Sequence, residues 1–405
     1  MRQAARSGTR VKCVGAGHSF TPIAVTDGIL LDLSRLTGIV AVTPTDTGAE
    51  VTVRAGTPLH RLNPLLWDLG LAMENLGDID AQSVAGAIAT GTHGTGAAFT
   101  GLAGQVVGLQ IVLADGQVVD CSAQTEPELF AAARLGLGAL GVITTLTLAC
   151  VPAFALAAAE GPASLGAVLG DLDRTVAQTD HFEFYWWPHT DRVLTKHNTR
   201  LPGDTPLRPL PRWRKGLDDE LLSNGVFELS NRLCTTLPQT TPRINAIAAR
   251  LLSQRTFLDR SYAVYATPRR VRFREMEYAV PVDALPALLD GLDRLITDSG
   301  DPVSFPVEVR FAAADGVWLS TAHDRATAYV AIHRYWRQPY EHYFRGFEEL
   351  AVGLGGRPHW GKMHWRTADD LRPEYPHFDD FRAVRDRVDP DRRFANAYLT
   401  AVLGD

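Results

Sequence analysis

Short apolar runs that alternate with polar residues and stop at glycine fill the first third of the chain: VKCVG (11–15), ILLDLS (29–34), VTVRAG (51–56), LQIVLADGQVVDCS (109–122) and VITTLTLACV (142–151). Their β-branched content and period of two predict strands. Asp115-Gly116, set between two alternating arms, predicts a hairpin closed by a primed turn. TPLHRLNPLLWDLG (57–70) and EPELFAAARLG (126–136) carry apolar residues at helical spacing and end in glycine, so they predict helices between the strands. The pattern is that of an α+β domain.

After Val151 the texture changes to an alanine-rich stretch, an aromatic run HFEFYWWPH (181–189), and a Pro- and Arg-rich segment LPGDTPLRPLPRWRKG (201–216) that predicts a solvated loop. Strand-like pieces resume at SYAVYA (261–266), REMEYAVP (274–281), FPVEVRF (305–311) and ATAYVAIHRYW (326–336), which predicts a second, sheet-based domain. FDDFRAVRDRV (378–388) has the spacing of an amphipathic helix.

At 405 residues the chain has room for two or three domains of about 150 residues. Lys plus Arg total 40 against 46 Asp plus Glu, a net charge of −6, which argues against nucleic acid as the main ligand. The four cysteines lie far apart with no C-x-x-C pair and read as buried thiols in a reducing compartment. No secretory leader and no run of apolar residues long enough for a transmembrane segment is present, so a cytoplasmic protein is expected, with peripheral membrane contact through the basic loop left open.

Three glycine patterns invite a nucleotide-binding reading. Gly136-x-Gly138-x-x-Gly141 has the dinucleotide spelling, but a helix precedes it and a strand follows, the reverse of a Rossmann turn. Gly356-x-x-x-x-Gly361-Lys362 has Met363 where a P-loop needs Ser or Thr. VGAGHSF (14–20) is different: a strand runs into Gly15-Ala16-Gly17-His18-Ser19, where backbone N–H groups can converge on an anion. A second small-residue loop, GAIATGTHGTG (86–96), lets a planar ligand lie against the backbone, with hydroxyls from Thr90, Thr92 and Thr95. His359 and His364 lack the spacing of a helical zinc pair, and no metal is expected.

GAGHSF, LGDIDAQSVAGAIATGTHGTG, LGALGVIT, PVEVRF, HWGK and the DP…F-x-N-x-YL tail, in that order, resemble the aldonolactone oxidoreductases of the vanillyl-alcohol oxidase flavoprotein family, in their actinobacterial type. The resemblance implies an FAD-binding domain of two α+β subdomains over residues 1–151, a cap domain carrying the substrate pocket over 152–356, and a segment, 357–405, that returns to the FAD domain. It also implies a first strand ahead of Met1, with MRQAARSG as the last turns of a first helix. Cofactor contacts would come from Gly15, Ala16, Gly17, His18, Ser19, Gly77, Asp78, Ser83, Gly86, Thr90, Gly91, Thr92, His93, Gly94, Gly138, Gly141, Val142 and Ile143. His18 would be bonded covalently to the flavin 8α-methyl, raising its potential.

Catalytic positions follow in the same way. Glu308 and Arg310 are two apart, so a strand points both to one face. The resemblance aims that face at flavin and substrate; without it, a surface ion pair is the plainer reading. Lys362 matches a family lysine that reaches the reacting hydroxyl or the N1 side of the flavin, and His333 a substrate-pocket histidine. Gly77 falls where the family places a gatekeeper beside the flavin, and Asp78 replaces a serine that contacts polyols. The implied activity is oxidation of the C2 hydroxyl of an aldono-1,4-lactone, a small sugar lactone, with dioxygen or another electron acceptor. The alternatives are an alditol or carbohydrate oxidase, or a truncated, flavin-free relative.

Overall fold

The computed structural model describes residues 1–211, 225–266 and 270–405. Three sheets organise them. β1 (Val11–Val14) pairs in parallel with β2 (Ile29–Asp32). β3 (Ile39–Thr45), β4 (Gly48–Arg54), β5 (Leu71–Met73), β6 (Val106–Val112), β7 (Val118–Ser122) and β8 (Val142–Pro152) form an antiparallel sheet in the order β3-β4-β8-β6-β7, with β5 also on β8. The long strands β8 and β9 (Phe154–Ser164) follow one another, and β9 opens the third sheet. The other strands of that sheet are β10 (His181–Trp186), β11 (Arg192–Pro202), β12 (Arg255–Arg260), β13 (Phe273–Pro281), β14 (Val307–Ala312), β15 (Thr327–Tyr335) and β16 (Arg357–Pro358). Their order is β12-β9-β11-β10-β14-β15-β13-β16, antiparallel throughout.

Alternation along the third sheet separates two chemistries. Phe182, Phe184, Trp186, Met276, Val280, Val307, Val309, Val330 and Ile332 face one side, where they form one core with the helices Leu285–Ser299 and Glu341–Gly353. The residues between them, Glu183, Tyr185, Glu275, Glu277, Glu308, Arg310 and His333, take the opposite face by the same period of two. That face looks toward the first domain.

The first domain packs helices Leu59–Asp68, Val84–Ala89 and Pro127–Ala133 against its sheet. The end of the chain joins this core through Trp360, Leu371, Tyr375, Phe378, Phe381 and Leu399. Backbone bonds tie it down further: Val11 N–H donates to the Arg393 carbonyl at 2.7 Å, and Phe20 N–H to that of Gly361 at 2.7 Å. The first helix, Arg2–Ser7, ends at Gly8 in the left-handed conformation, where the sequence puts its stop.

Two local expectations are corrected. SYAVYA is a helix, Ser261–Tyr265, with Ser261 and Tyr265 buried one turn apart; a short apolar run does not announce its period. The hairpin at Asp115-Gly116 is present, but only Gly116 has positive φ (87°), so its turn is not the primed type that needs two such residues. Asp115 instead accepts the Gln117 N–H through its carboxylate at 2.8 Å. Of the basic stretch 201–216, β11 ends at Pro202 and residues 203–211 continue without helix; residues 212–216 lie outside the described residues. No described helix is long and apolar enough to cross a membrane.

Candidate active site

A groove within the first domain opens into a chamber that lies between this domain and the polar face of the third sheet. The groove, about 340 Å³, runs along Gly15–Ser19, Ser83, Gly86, Gly138, Gly141 and Ile143. The chamber, about 800 Å³, is walled by Asp78, His93, Glu277, Arg310, His359 and Lys362. Gly17, His18, Ser19, Ala81, Gln82 and Thr90 line both, so the two spaces are continuous at the His18 loop.

Small residues make the groove. A Cβ on Gly15 would stand 2.7 Å from Ser83 Oγ, and one on Gly86 2.8 Å from the same atom, so the β1 loop and the helix Val84–Ala89 approach as closely as they do only because both are glycine. Gly141 would press a Cβ onto Ile111 Cγ1 at 2.6 Å and the Val112 carbonyl at 2.7 Å. A narrow cradle of backbone opening into a broader polar chamber fits an elongated dinucleotide whose ring system ends beside charged side chains, which is the shape of FAD. Lys12, not singled out from the sequence, sits at this groove and is 2% exposed. Its ammonium donates to the carbonyls of Gly138 (3.0 Å) and Phe394 (3.2 Å), and burial pulls its pKa down to about 8.

Charges of alternating sign run across the sheet to the chamber. Arg255 pairs with Glu160 (2.7 Å), Lys196 with Glu183 (2.9 Å), and Glu183 with Arg310 Nε (3.0 Å). Arg310 also meets Glu308 and, at 3.2 Å, Asp78. Glu160↔Lys196, Lys196↔Glu183 and Tyr185↔Glu308 are direct cross-strand neighbours, so register alone brings the partners together. Burial pushes the Glu183 carboxyl up, but Lys196 and Arg310 overcome it and hold its pKa at about 2. Burial opposes the charge on Arg310, and Asp78, Glu308 and Glu183 raise its pKa well above the ordinary value. On β13, Glu275 binds Lys362 Nζ at 2.5 Å, and Glu277 meets His93. Burial works against the Lys362 charge, yet Glu275 and Glu277 raise its pKa. Both cations are therefore fixed and permanently charged.

His18 stands exposed at the junction, its pKa lowered by partial burial and by Lys362, which favours a neutral, nucleophilic imidazole.

The sequence reading placed most of these residues at the site, with exceptions. Glu308 is set beneath Arg310 rather than on the chamber wall. His333 is displaced further: its ring lies between Phe273 (centroids 5.2 Å) and Phe305 (5.9 Å), and its Nε2 reaches Glu275 at 3.4 Å, so it stands behind Lys362's partner. Gly91, Gly94 and Val142 line neither space. A Cβ on Gly94 would overlap the Leu76 carbonyl and the Asn75 side chain, so this glycine packs two loops together, and Val142 turns into a small cluster with Val11, Ala114 and Phe394. The Thr95 hydroxyl is spent on the Phe182 carbonyl and the Phe311 N–H, tying the loop to the third sheet. At Gly77 a Cβ would point at the His93 carbonyl (3.1 Å) and Thr92 Cγ2 (3.2 Å), so the glycine serves loop contact more directly than space in the chamber.

Glu183, Lys196, Glu275, Glu277 and His359 were missed. For the three glutamates a signal was present, as carboxylates set among the apolar residues of HFEFYW and REMEY, which a strand with two buried faces does not tolerate unless the charges have partners; Lys196 and His359 carried none.

Residues 146–402 match the family model described as D-arabinono-1,4-lactone oxidase, and residues 1–122 match one described as an FAD binding domain. The chain is 44% identical to an L-gulono-1,4-lactone dehydrogenase of Mycobacterium tuberculosis over 402 residues, 99% of this chain and 92% of that protein. It is 35% identical to an L-gulonolactone oxidase of Scyliorhinus torazame (96% and 89% covered) and 33% to an alditol oxidase of a Streptomyces species (96% and 90%). Among solved structures, cholesterol oxidase from Brevibacterium sterolicum superposes with a TM-score of 0.81 at 17% identity, covering 99% of this chain and 91% of that one, which shows a shared fold.

Proposed function

Because the chain belongs to the D-arabinono-1,4-lactone oxidase family, with an FAD-binding domain ahead of the family's own region, we propose that the groove holds FAD and that the chamber oxidises the C2 hydroxyl of an aldono-1,4-lactone. The supporting observation is the continuity of the two spaces at His18, with two fixed cations, Arg310 and Lys362, on the chamber wall.

Bound FAD would supply the two-electron oxidation chemistry. The chain's own residues handle position and charge. The Gly15–Ser19 loop, Ser83, Gly86, Thr90 and the Gly138–Gly141 turn would hold the dinucleotide. His18 would anchor it covalently, its neutral imidazole being the form able to make that bond. Arg310 and Lys362 would stabilise the oxygen of the substrate hydroxyl as its proton leaves, because their charges are already fixed toward the chamber. Glu183 and Glu275 fix the directions of those two cations, and this preorganisation spares reorientation during the reaction. Asp78, bonded to Arg310 at the chamber wall, would contact the lactone's hydroxyls. The product, a 2-keto lactone, then enolises to an ascorbate-type compound.

Visible absorbance of the purified protein before and after acid precipitation tests the cofactor reading. Yellow colour retained in the pellet supports the covalent His18 anchor; colour released to the supernatant keeps FAD and removes the anchor; a colourless folded protein overturns the reading. Turnover of gulono- or arabinono-1,4-lactone in preference to xylitol is the expected substrate result, and the reverse preference makes it an alditol oxidase.

A further inference from the structure

One buried pair in the chamber wall has no part in that reaction. His93 belongs to the glycine-rich loop of the first domain, Glu277 to β13 of the third sheet, and each is 5% exposed. Both nitrogens of the His93 ring are engaged. Nδ1 lies 2.9 Å from the Gly94 carbonyl oxygen, which only accepts, so Nδ1 carries a proton. Nε2 meets a carboxylate oxygen of Glu277 in a short contact. Two lone pairs would repel at that range, so a second proton lies between them. The ring is also fixed in place, stacked on Tyr329 with centroids 3.5 Å apart, and the Tyr329 hydroxyl is bonded to Thr321 at 2.8 Å.

The neighbours show which side of the shared contact the proton favours. Burial pushes the Glu277 carboxyl up, but His93, with help from Lys362, overcomes it and holds it well below the usual carboxylate range. His359, its ring 5.7 Å from that of His93, accepts the Gly361 N–H on Nδ1 at 3.0 Å and stays neutral, its pKa lowered to about 4 by burial and by Lys362. The charge of Lys362 is answered by Glu275. Glu277 is thus left to His93.

We propose that Glu277 is a positioning residue that keeps His93 doubly protonated, so that the chamber wall presents a third fixed cation to the ring system filling the chamber. This inference rests on the FAD reading. A cation held in a poorly hydrated wall favours the negative charge that a flavin carries once reduced.

His93, Glu277 and His359 also bring one potential ligand atom each within 4.8 Å of one another, a spacing a divalent cation could bridge. Two features oppose that use. With Nδ1 of His359 accepting the Gly361 N–H, the proton of the neutral ring sits on Nε2, and the ammonium of Lys362 acts on the same space.

The test uses the purified 405-residue protein with its FAD and the variants Glu277→Gln and His93→Gln. Proton NMR of the wild type should show a slowly exchanging, far-downfield imidazole proton that both variants lose. Sulfite affinity, read from bleaching of the flavin absorbance, should fall about tenfold or more in each, a loss of about 1.4 kcal/mol. The double variant should lose no more than either single one, because the pair acts as a unit. Glu277→Asp should restore part of both signals, and kcat should fall more than KM changes. A wild type without the downfield proton, or variants with unchanged sulfite affinity, overturns the proposal. So does zinc retained stoichiometrically by the wild type and lost from Glu277→Gln, which would make the cluster a metal centre. A protein purified without flavin would refute the FAD reading separately, and the NMR signal would still decide the state of the pair.

Discussion

Arg310 and Lys362 illustrate how little a charged residue does alone. Arg310 is buried beside Glu183 of the neighbouring strand and Lys362 is half-buried beside Glu275 of β13, and each pairing holds the charge while fixing its direction. Arg310→Met or Lys362→Met should lower kcat by roughly a hundredfold or more, the loss expected when a preorganised charge is removed from a reacting oxygen. Steady-state kinetics on an aldono-1,4-lactone checks this, and near-normal rates in both variants would remove the two residues from the mechanism. At this scale the sequence was readable wherever a motif carried the chemistry: His18, Arg310 and Lys362 all line the chamber. It held no record of the distant partners that Glu183, Glu277 and Lys12 meet: Arg310 is 127 positions from Glu183, and His93 is 184 from Glu277. Lys12 is joined to Phe394 across 382 positions, and no local pattern records such a contact.

Strands carry the site through their period of two. On β10, β13 and β14, alternation sends aromatic and aliphatic residues to a core and carboxylates and an arginine to the chamber side, so a one-residue register slip would exchange core and site. Glycines do the corresponding work in the first domain by permitting close approach. Gly141→Ala would force a methyl against Ile111 and the Val112 carbonyl, and it should destabilise the protein by about 1–3 kcal/mol and weaken flavin retention. Gly166→Ala, in the helix Leu165–Gly170 with open space around the new methyl, should instead stabilise by about 0.5–1 kcal/mol. Urea unfolding of the two variants gives opposite signs if this account holds. Element type was legible for most long patterned segments and failed at SYAVYA, where six residues are too few to distinguish a period of two from one of 3.6.

On the scale of the whole molecule, burial works on several of the described histidines and lowers His181, His359 and His364 furthest, each to a pKa of about 4. The network around His181 shows how: Nδ1 donates to the Thr95 carbonyl (2.7 Å) while Nε2 accepts from Arg200 (3.0 Å). Between pH 6.5 and about 4 the unfolded chain binds protons at these positions that the folded chain refuses, so stability is lost as pH falls through that window. Glu183 and Glu275, held at about 2, continue the loss below pH 4.5. Urea midpoints measured from pH 7 to 4 should therefore begin to drop near pH 6.5, and His364→Gln should flatten the upper part of that decline; a plateau down to pH 4.5 would contradict the histidine assignment. The sequence by itself determined the α+β class, the glycine loops of the groove and the strand that carries Arg310, because each is written in local periodicity or in backbone freedom at a single position. Only the tertiary structure decided which charges meet. The file of ion pairs across the third sheet and the contact of His93 with Glu277 join residues as many as 184 positions apart, and their energies depend on distance and burial that no local pattern encodes.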